Sequence, residues 1–509
     1  MSLSSSSEDL KNDASVAIDW KSPSELEATF PSDQDQEDRF ASIDRKKLLR
    51  RIDKRILIYI CITYMFVRLD LNNISNAGTM NSEVKHSLKQ VLHLSAGQWA
   101  WVLSAFYYPY AVAEPICTFF VKATSPSIWL GRIFVSWGIV MACMAAVTKY
   151  GGLVACRALL GLLEGSYFTS VIYHWSFWYT PAEMAPRVLW LYVANSSSGG
   201  FSGLFAYAIS FSDSAKIYGW QVLFILEGLI TVALGIGMFV ILPDWPSTSK
   251  WLSPLEQEYV VHHLHKDAPK QTAKTWDAKQ IKRMFADPTF YFFSLFWACY
   301  AVSAWGIGTV LPFVIKDLGI TDSAGTQLLQ IPPAATGVAM CIISAYLIRN
   351  RGISAFAVTL AIIAGVLVSF AVFLKAKPAG LRYAAVCVIS GSTTTAYACL
   401  WPRRVAALRG TSAAALGIGI NNAISQLSGI VGPQVWRLNF GPRYETSAKI
   451  SLAFCSADFV IVLILWWLME YPHLPGWLKK RVLAQTQITE EDQEAAKRGE
   501  TIGTGEEKR

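Results

Sequence analysis

The chain is short of charge. Only 16% of its 509 residues are Asp, Glu, Lys or Arg, against 53% hydrophobic. A water-soluble domain ordinarily carries about 25% charged residues. The deficit excludes a chain that meets water along its whole length, and points to solvation by lipid. The net charge of +8 is no nucleic-acid signature, because the basic residues lie between apolar runs rather than in one patch. No Gly-x-x-x-x-Gly-Lys-Ser/Thr string occurs, which removes a P-loop and ATP as a source of drive. The first forty positions hold no apolar h-region, so no secretory signal is expected. They are rich in Ser, Asp and Glu and read as a tail too polar to bury a core. Within it, Ser4 to Ser7 beside Glu8 and Asp9 are either a phosphorylation stretch or inert. The nine cysteines all fall inside apolar runs and have no metal-ligand spacing. His262-His263-Leu264-His265 stands alone in a charged stretch and reads as solvated surface. No catalytic constellation is present, so no enzyme, metal or cofactor is expected.

What the chain does have is long apolar runs. About 20 apolar residues make a helix that crosses roughly 30 Å of hydrocarbon, and a helix satisfies its own backbone there. Six such runs lie at 56–77, 98–121, 128–148, 152–177, 188–211 and 220–242, and six more at 289–313, 325–347, 353–374, 381–401, 413–436 and 449–469. The predicted fold is therefore all-α, a polytopic membrane protein with twelve transmembrane helices in two six-helix bundles. The expected layout is a tail over 1–50, a bundle over 51–243, a linker over 244–288, a second bundle over 289–470 and a tail over 471–509. Lys and Arg concentrate in the flanks that share a side with the N-terminus, including Arg45, Lys46, Lys47, Arg50 and Arg51, the linker, and Lys479, Lys480 and Arg481. That bias places both termini in the cytosol; the plasma membrane is the expected location, with a vacuolar or other internal membrane as the alternative.

Six spans, a linker and six spans resemble the major facilitator superfamily, whose halves are related by an internal repeat. Local strings are similar to its fungal anion:cation symporter group, the allantoate permease relatives. The first span reads Leu69-Asp70-Leu71-Asn72-Asn73-Ile74-Ser75-Asn76-Ala77, and the fourth Arg157-Ala158-Leu159-Leu160-Gly161-Leu162-Leu163-Glu164-Gly165. The sixth reads Gly219-Trp220-Gln221-Val222-Leu223-Phe224-Ile225-Leu226-Glu227-Gly228 and ends in Leu242-Pro243-Asp244-Trp245-Pro246. Leu71 stands where the family carries a basic residue, and Arg68 lies three positions upstream. The resemblance implies proton-coupled transport of a small organic anion, by a monomer in membrane lipid. Export of a secondary metabolite on the same fold is the alternative, and a transporter-like nutrient sensor a further one.

A charge inside a membrane costs about 2.5–3.5 kcal/mol on insertion scales, so each is a candidate for function. Those present are Arg68, Asp70, Glu114, Arg157, Glu164, His174, Glu227 and Asp458. Asp70 and Asn73 share a helix face and either line a solute cavity or pair with a neighbouring helix. Arg157 either grips an anion through its planar fork or pairs with a carboxylate such as Asp70 or Glu114. Glu164, two turns from Arg157, is the leading proton-coupling candidate, with Glu114 and Glu227 behind it. His174 sits in an aromatic run and reads as interfacial, and Asp458 reads as peripheral. In the eleventh span, Asn422 and Gln426 share a face and suit either a solute contact or helix packing. Lys122, Arg132, Glu183 and Arg187 suit a cytosolic gate of ion pairs.

Overall fold

The structure, a computed structural model, describes residues 39–214, 216–264, 278–408 and 411–471, together with positions 475 and 482. The polar tails before 39 and after 482, Ser4 to Ser7 and His265 lie outside the described residues.

Each of the twelve apolar runs falls on a helix or on a helix broken once or twice. A short amphipathic helix, α1 (Arg45–Arg55), precedes the first span and is capped by Asp44, whose carboxylate accepts from the Lys46 and Lys47 amides. The first six spans are α2 (Leu57–Thr79), α3 plus α4 (Ala96–Ser104 and Tyr107–Ala123), α5 (Pro126–Met144), α6 plus α7 (Tyr150–Glu164 and Tyr167–Trp175), α8 (Pro181–Ser210) and α9 (Gly219–Ile241). The linker carries α10 (Pro254–His263) and α11 (Ala278–Ala286). The second six are α12 (Pro288–Tyr300) with α13 (Leu311–Asp317), α14 (Ser323–Leu328) with α15 (Ile331–Asn350), α16 (Ala355–Lys375), α17 (Ala379–Ala406), α18 (Thr411–Val435) and α19 (Glu445–Glu470). By length and composition, eight helices among the described residues are long and apolar enough to cross a membrane.

The starts and breaks have local causes. Ser95 with Gln98, Thr180 with Glu183 and Ser253 with Glu256 form reciprocal capping boxes at α3, α8 and α10, each satisfying two orphan donors. Pro109, third in α4, lacks the N–H that would bond back to Ala105, and the helix is interrupted there. Gly161 ends a groove in α6 so close to α4 that an added Cβ would lie 1.9 Å from the Phe106 carbonyl.

In the first half α5 packs along α9, with Gly138 and Gly228 backbone to backbone, and α2 packs along α8. In the second half α17 packs on α15 and α16, and α12 and α16 pack on α19. The halves meet where α8 runs along α15 and α4 along α18. Glu183 and Arg187 lie in the opening turns of α8, the fifth span.

Candidate functional site

Between the halves lies a cavity of about 150 Å³, at the level of the mid-length of α2 and α8. Its wall comes from both halves: Arg68, Asn72 and Asn195 from the first, and Trp297, Tyr397, Asn422 and Gln426 from the second. Arg68 is the single charged side chain on that wall among the described residues. Its Nη2 donates to the Tyr64 hydroxyl at 2.9 Å, and the guanidinium lies 5.1 Å from the centre of the Tyr64 ring one turn back on α2. Leu71, three residues on, shares the cavity face. The cation is therefore present on the wall, displaced by one turn from the position the sequence pattern suggested.

The end of the molecule remote from the N-terminus is closed across the halves. Ser75 donates to the Thr309 carbonyl at 2.5 Å, Gln327 to Thr79 at 3.0 Å and Gln330 to Asn76 at 2.9 Å. Lys316 donates to Ser82, and the Trp99 and Phe313 rings meet at 5.5 Å. On the other side of the cavity the halves touch through the Phe168 and Trp401 rings, 5.2 Å apart and edge to face.

Behind Arg68, inside the first half, the remaining ionisable groups gather. Glu164 is wholly buried, and neither carboxyl oxygen has a hydrogen-bond partner among the described residues. It sits within electrostatic reach of Arg68, Asp70 and Arg157. Asp70 accepts from the Trp137 indole at 2.5 Å and faces Arg157. Arg157 lies against the Phe106 ring at 4.7 Å. Asn73 donates to Glu227 at 2.6 Å and accepts from Ser202 at 2.7 Å. The two arginines are what make such burial tolerable, since each carboxyl then lies within reach of a cation in low dielectric.

The residues singled out in the sequence thus separate into groups. Asn422 and Gln426 line the cavity, whereas Asp70, Asn73 and Arg157 lie behind its wall, in the core of the first half. Glu114 is one residue back from the cavity, accepting from the Asn422 amide across the two halves. Glu183 and Arg187 bind α1 rather than each other's side chains: Arg45 reaches Glu183 at 2.7 Å, and Arg187 grips Asp53 at 2.7 and 2.8 Å. Arg132 is exposed on α5. The Lys122 side chain lies outside the described residues. One expectation changes: Asp458 is fully buried, not peripheral. His174, in the last turn of α7, is fully buried and bonds the Pro243 carbonyl at 2.8 Å.

Sequence reasoning missed the aromatic lining, Tyr64, Phe168, Tyr192, Trp297 and Tyr397. No pattern separates those rings from the many that fill the core. Arg68 was visible as an intramembrane charge, and the missing basic residue at Leu71 was the signal for its role.

Two helical halves that enclose a polar cavity and are sealed at one end define a membrane solute transporter, not an enzyme. Residues 60–433 match the model of the Major Facilitator Superfamily, and the chain belongs to that superfamily. It is 29% identical over 398 residues to an uncharacterized transporter of Schizosaccharomyces pombe, covering 77% of this chain and 80% of that one. It is 28% identical over 413 residues to the thiamine pathway transporter THI73 of Saccharomyces cerevisiae, covering 80% and 76%. Among solved structures it resembles, in fold, a bacterial homologue of the human lysosomal transporter Spinster, captured inward-facing and unoccupied. That match has a TM-score of 0.56 at 14% identity and covers 86% of this chain and 97% of the other.

Proposed function

We propose that this transporter moves a small organic anion by alternating access, coupled to protons, with both termini in the cytosol and the plasma membrane as its site. The observation that carries the reading is the lone cation on the cavity wall. Arg68 offers an anionic solute a planar, permanently charged fork. Around it stand neutral amides and hydroxyls, among them Asn72, Asn195, Asn422 and Gln426.

Arg68 also serves Glu164, and that double duty supplies the coupling. With the cavity empty, Arg68 offsets a negative charge on Glu164. An anion that draws the guanidinium toward itself weakens that support, and a buried carboxylate without its counter-charge takes up a proton. Solute and proton then bind with positive coupling, and by linkage each raises the affinity for the other. Arg157 stays with Asp70 and holds the core of the first half. The ion pairs from Arg45 and Arg187 tie α1 to α8 at the cytosolic end. Such pairs bias two nearly equal conformers more than they stabilise the fold.

The test is uptake of labelled small carboxylates into vesicles under an imposed pH gradient, comparing wild type with Glu164→Gln. Gradient-driven accumulation by wild type, reduced in the variant to exchange without accumulation, is the expected result. Uptake by wild type that ignores the gradient would remove proton coupling. Efflux without uptake would favour the export of a metabolite instead.

A further inference from the structure

One buried carboxyl stands apart from everything above. Asp458, near the middle of α19, is 0% exposed. Its neighbours are Tyr300 and Cys299 on α12, Tyr397 on α17 and Cys455 on its own helix. Ser303 donates to its Oδ2 at 3.3 Å, and Oδ1 has no hydrogen-bond partner among the described residues. Among the described residues no Lys, Arg or His lies within electrostatic reach of it, whereas each carboxyl in the core of the first half has Arg68 or Arg157 in reach. An ionised carboxylate with one long hydrogen bond and no cation is the most costly arrangement available in a membrane core. A carboxylic acid at the same place is neutral and is tolerated.

Its position gives that proton a consequence. Ser303 lies in a π-helical turn, Ala301–Trp305, that interrupts the seventh span. Such turns inside α-helices occur frequently at functional sites. On one side of it α12 is held by packing against α19. On the other, after Gly306 and Gly308, the chain leads into α13, whose Phe313 and Lys316 help close the remote end. The Ser303–Asp458 contact therefore sits where a fixed segment joins a closing one.

We propose that Asp458 is a second proton-binding site, separate from the Arg68–Glu164 pair, and that its proton braces the break in the seventh span which lets α13 close the remote end. The chemistry is simple uptake: the carboxylate takes one H⁺ and becomes the acid, with no other bond changed. Loss of that proton places a bare charge beside the π-helical turn, and the turn must open toward water to solvate it. The bracing role rests on the alternating-access reading, but the proton site does not.

The experiment needs no solute. Infrared spectra of the full-length protein in lipid vesicles are recorded across a pH series, for wild type, Asp458→Asn and Asp458→Glu. The expected result is a carboxylic-acid C=O band in wild type that is absent in Asp458→Asn and displaced in Asp458→Glu. Identical wild-type and Asp458→Asn spectra, or a band that answers to Na⁺ rather than to pH, would overturn the site. Amide hydrogen exchange over residues 311–317 reads the brace. At the alkaline end, Asp458→Asn should keep protection that wild type loses, by about tenfold in rate. Equal protection in both at every pH would overturn the coupling to α13. An Asp458 band that persists while vesicle uptake ignores the pH gradient would remove the proton coupling of transport and leave the proton site standing.

Discussion

The two halves use opposite means to make a polar interior. In its core the first buries Arg68, Asp70, Glu114, Arg157, Glu164 and Glu227, two cations among four carboxyls, apart from His174 and Arg187 toward the α1 end. The second buries one carboxyl in mid-span, Asp458, and a second, Asp287, at the cap of α12. Its buried cation, Arg404, lies toward the end of α17 over the Phe290 and Phe293 rings at 5.1 and 5.4 Å. For the cavity the second half supplies amides, hydroxyls and rings. A group of mutually supporting charges has several arrangements of similar energy, which suits a switch. A neutral polar wall has few, which suits recognition. At the cavity, the contrast assigns the charge that answers to solute to the first half and the shape of the site to the second, while the Asp458 proton acts away from the cavity.

The largest expected effect comes from removing the single charge on the cavity wall. Arg68→Gln should lower the kcat/KM for anion uptake by about 30- to 5000-fold, the loss of roughly 2–5 kcal/mol typical of an uncompensated partner in a buried charge pair. Arg68→Lys should recover only part, since an ammonium lacks the fork. An undiminished Arg68→Gln rate would end the division of labour. Asn422→Ala tests the other side: it should raise KM and also free Glu114 from its bond across the halves, and a change confined to kcat would contradict a recognition role.

Packing predictions are smaller and independent of function. In Gly161→Ala the new methyl meets the Phe106 carbonyl, a backbone atom that cannot rotate away. A loss of about 1–3 kcal/mol is expected from such overpacking, read as a lower unfolding temperature of the purified protein. Gly365→Ala in the second half, where a Cβ meets nothing within 4 Å, serves as the control. Asp53→Asn breaks the two-pronged grip of Arg187, which lies 4.0 Å from the Tyr179 ring centre. Discounted for the exposure of Asp53, about 1–2 kcal/mol is at stake.

The smallest effect is a pH dependence at the remote end. Burial alone would raise the Asp213 carboxyl, but bonds from His86, the Gly219 amide and Asn81 outweigh it and hold the group below the ordinary carboxylate range. A depressed folded-state value means stability that is present above the ordinary carboxylate value, about 3.9, and lost as pH falls through the depressed one. Asp213→Asn should therefore be less stable than wild type near neutrality, with the gap closing in acid. A gap that widens in acid would reverse the sign of the argument.

Much of the fold was legible in the sequence, because lipid imposes a single strong requirement on length and hydropathy. The breaks were not, since they depend on local events such as Pro109 in α4 and the π-helical turn at Ala301–Trp305. The buried charges were legible by type but not by partner. Asp70 and Asn73 share a helix face as their spacing requires, yet that face turns to Trp137 and Glu227 rather than to the cavity. Helix periodicity gives the face and leaves its rotation to tertiary packing. Asp458 was undervalued for the same reason: a single carboxyl in an apolar run does not reveal that the neighbouring span has a π-helical turn beside it.

The most direct test sets a small carboxylate against its own amide as competitors for uptake in reconstituted vesicles. The carboxylate should displace the labelled anion, the amide should not, and Arg68→Gln should erase the difference. Equal competition by the amide in wild type, or a preference for the carboxylate that survives in Arg68→Gln, would contradict an anion held by the cavity's lone cation.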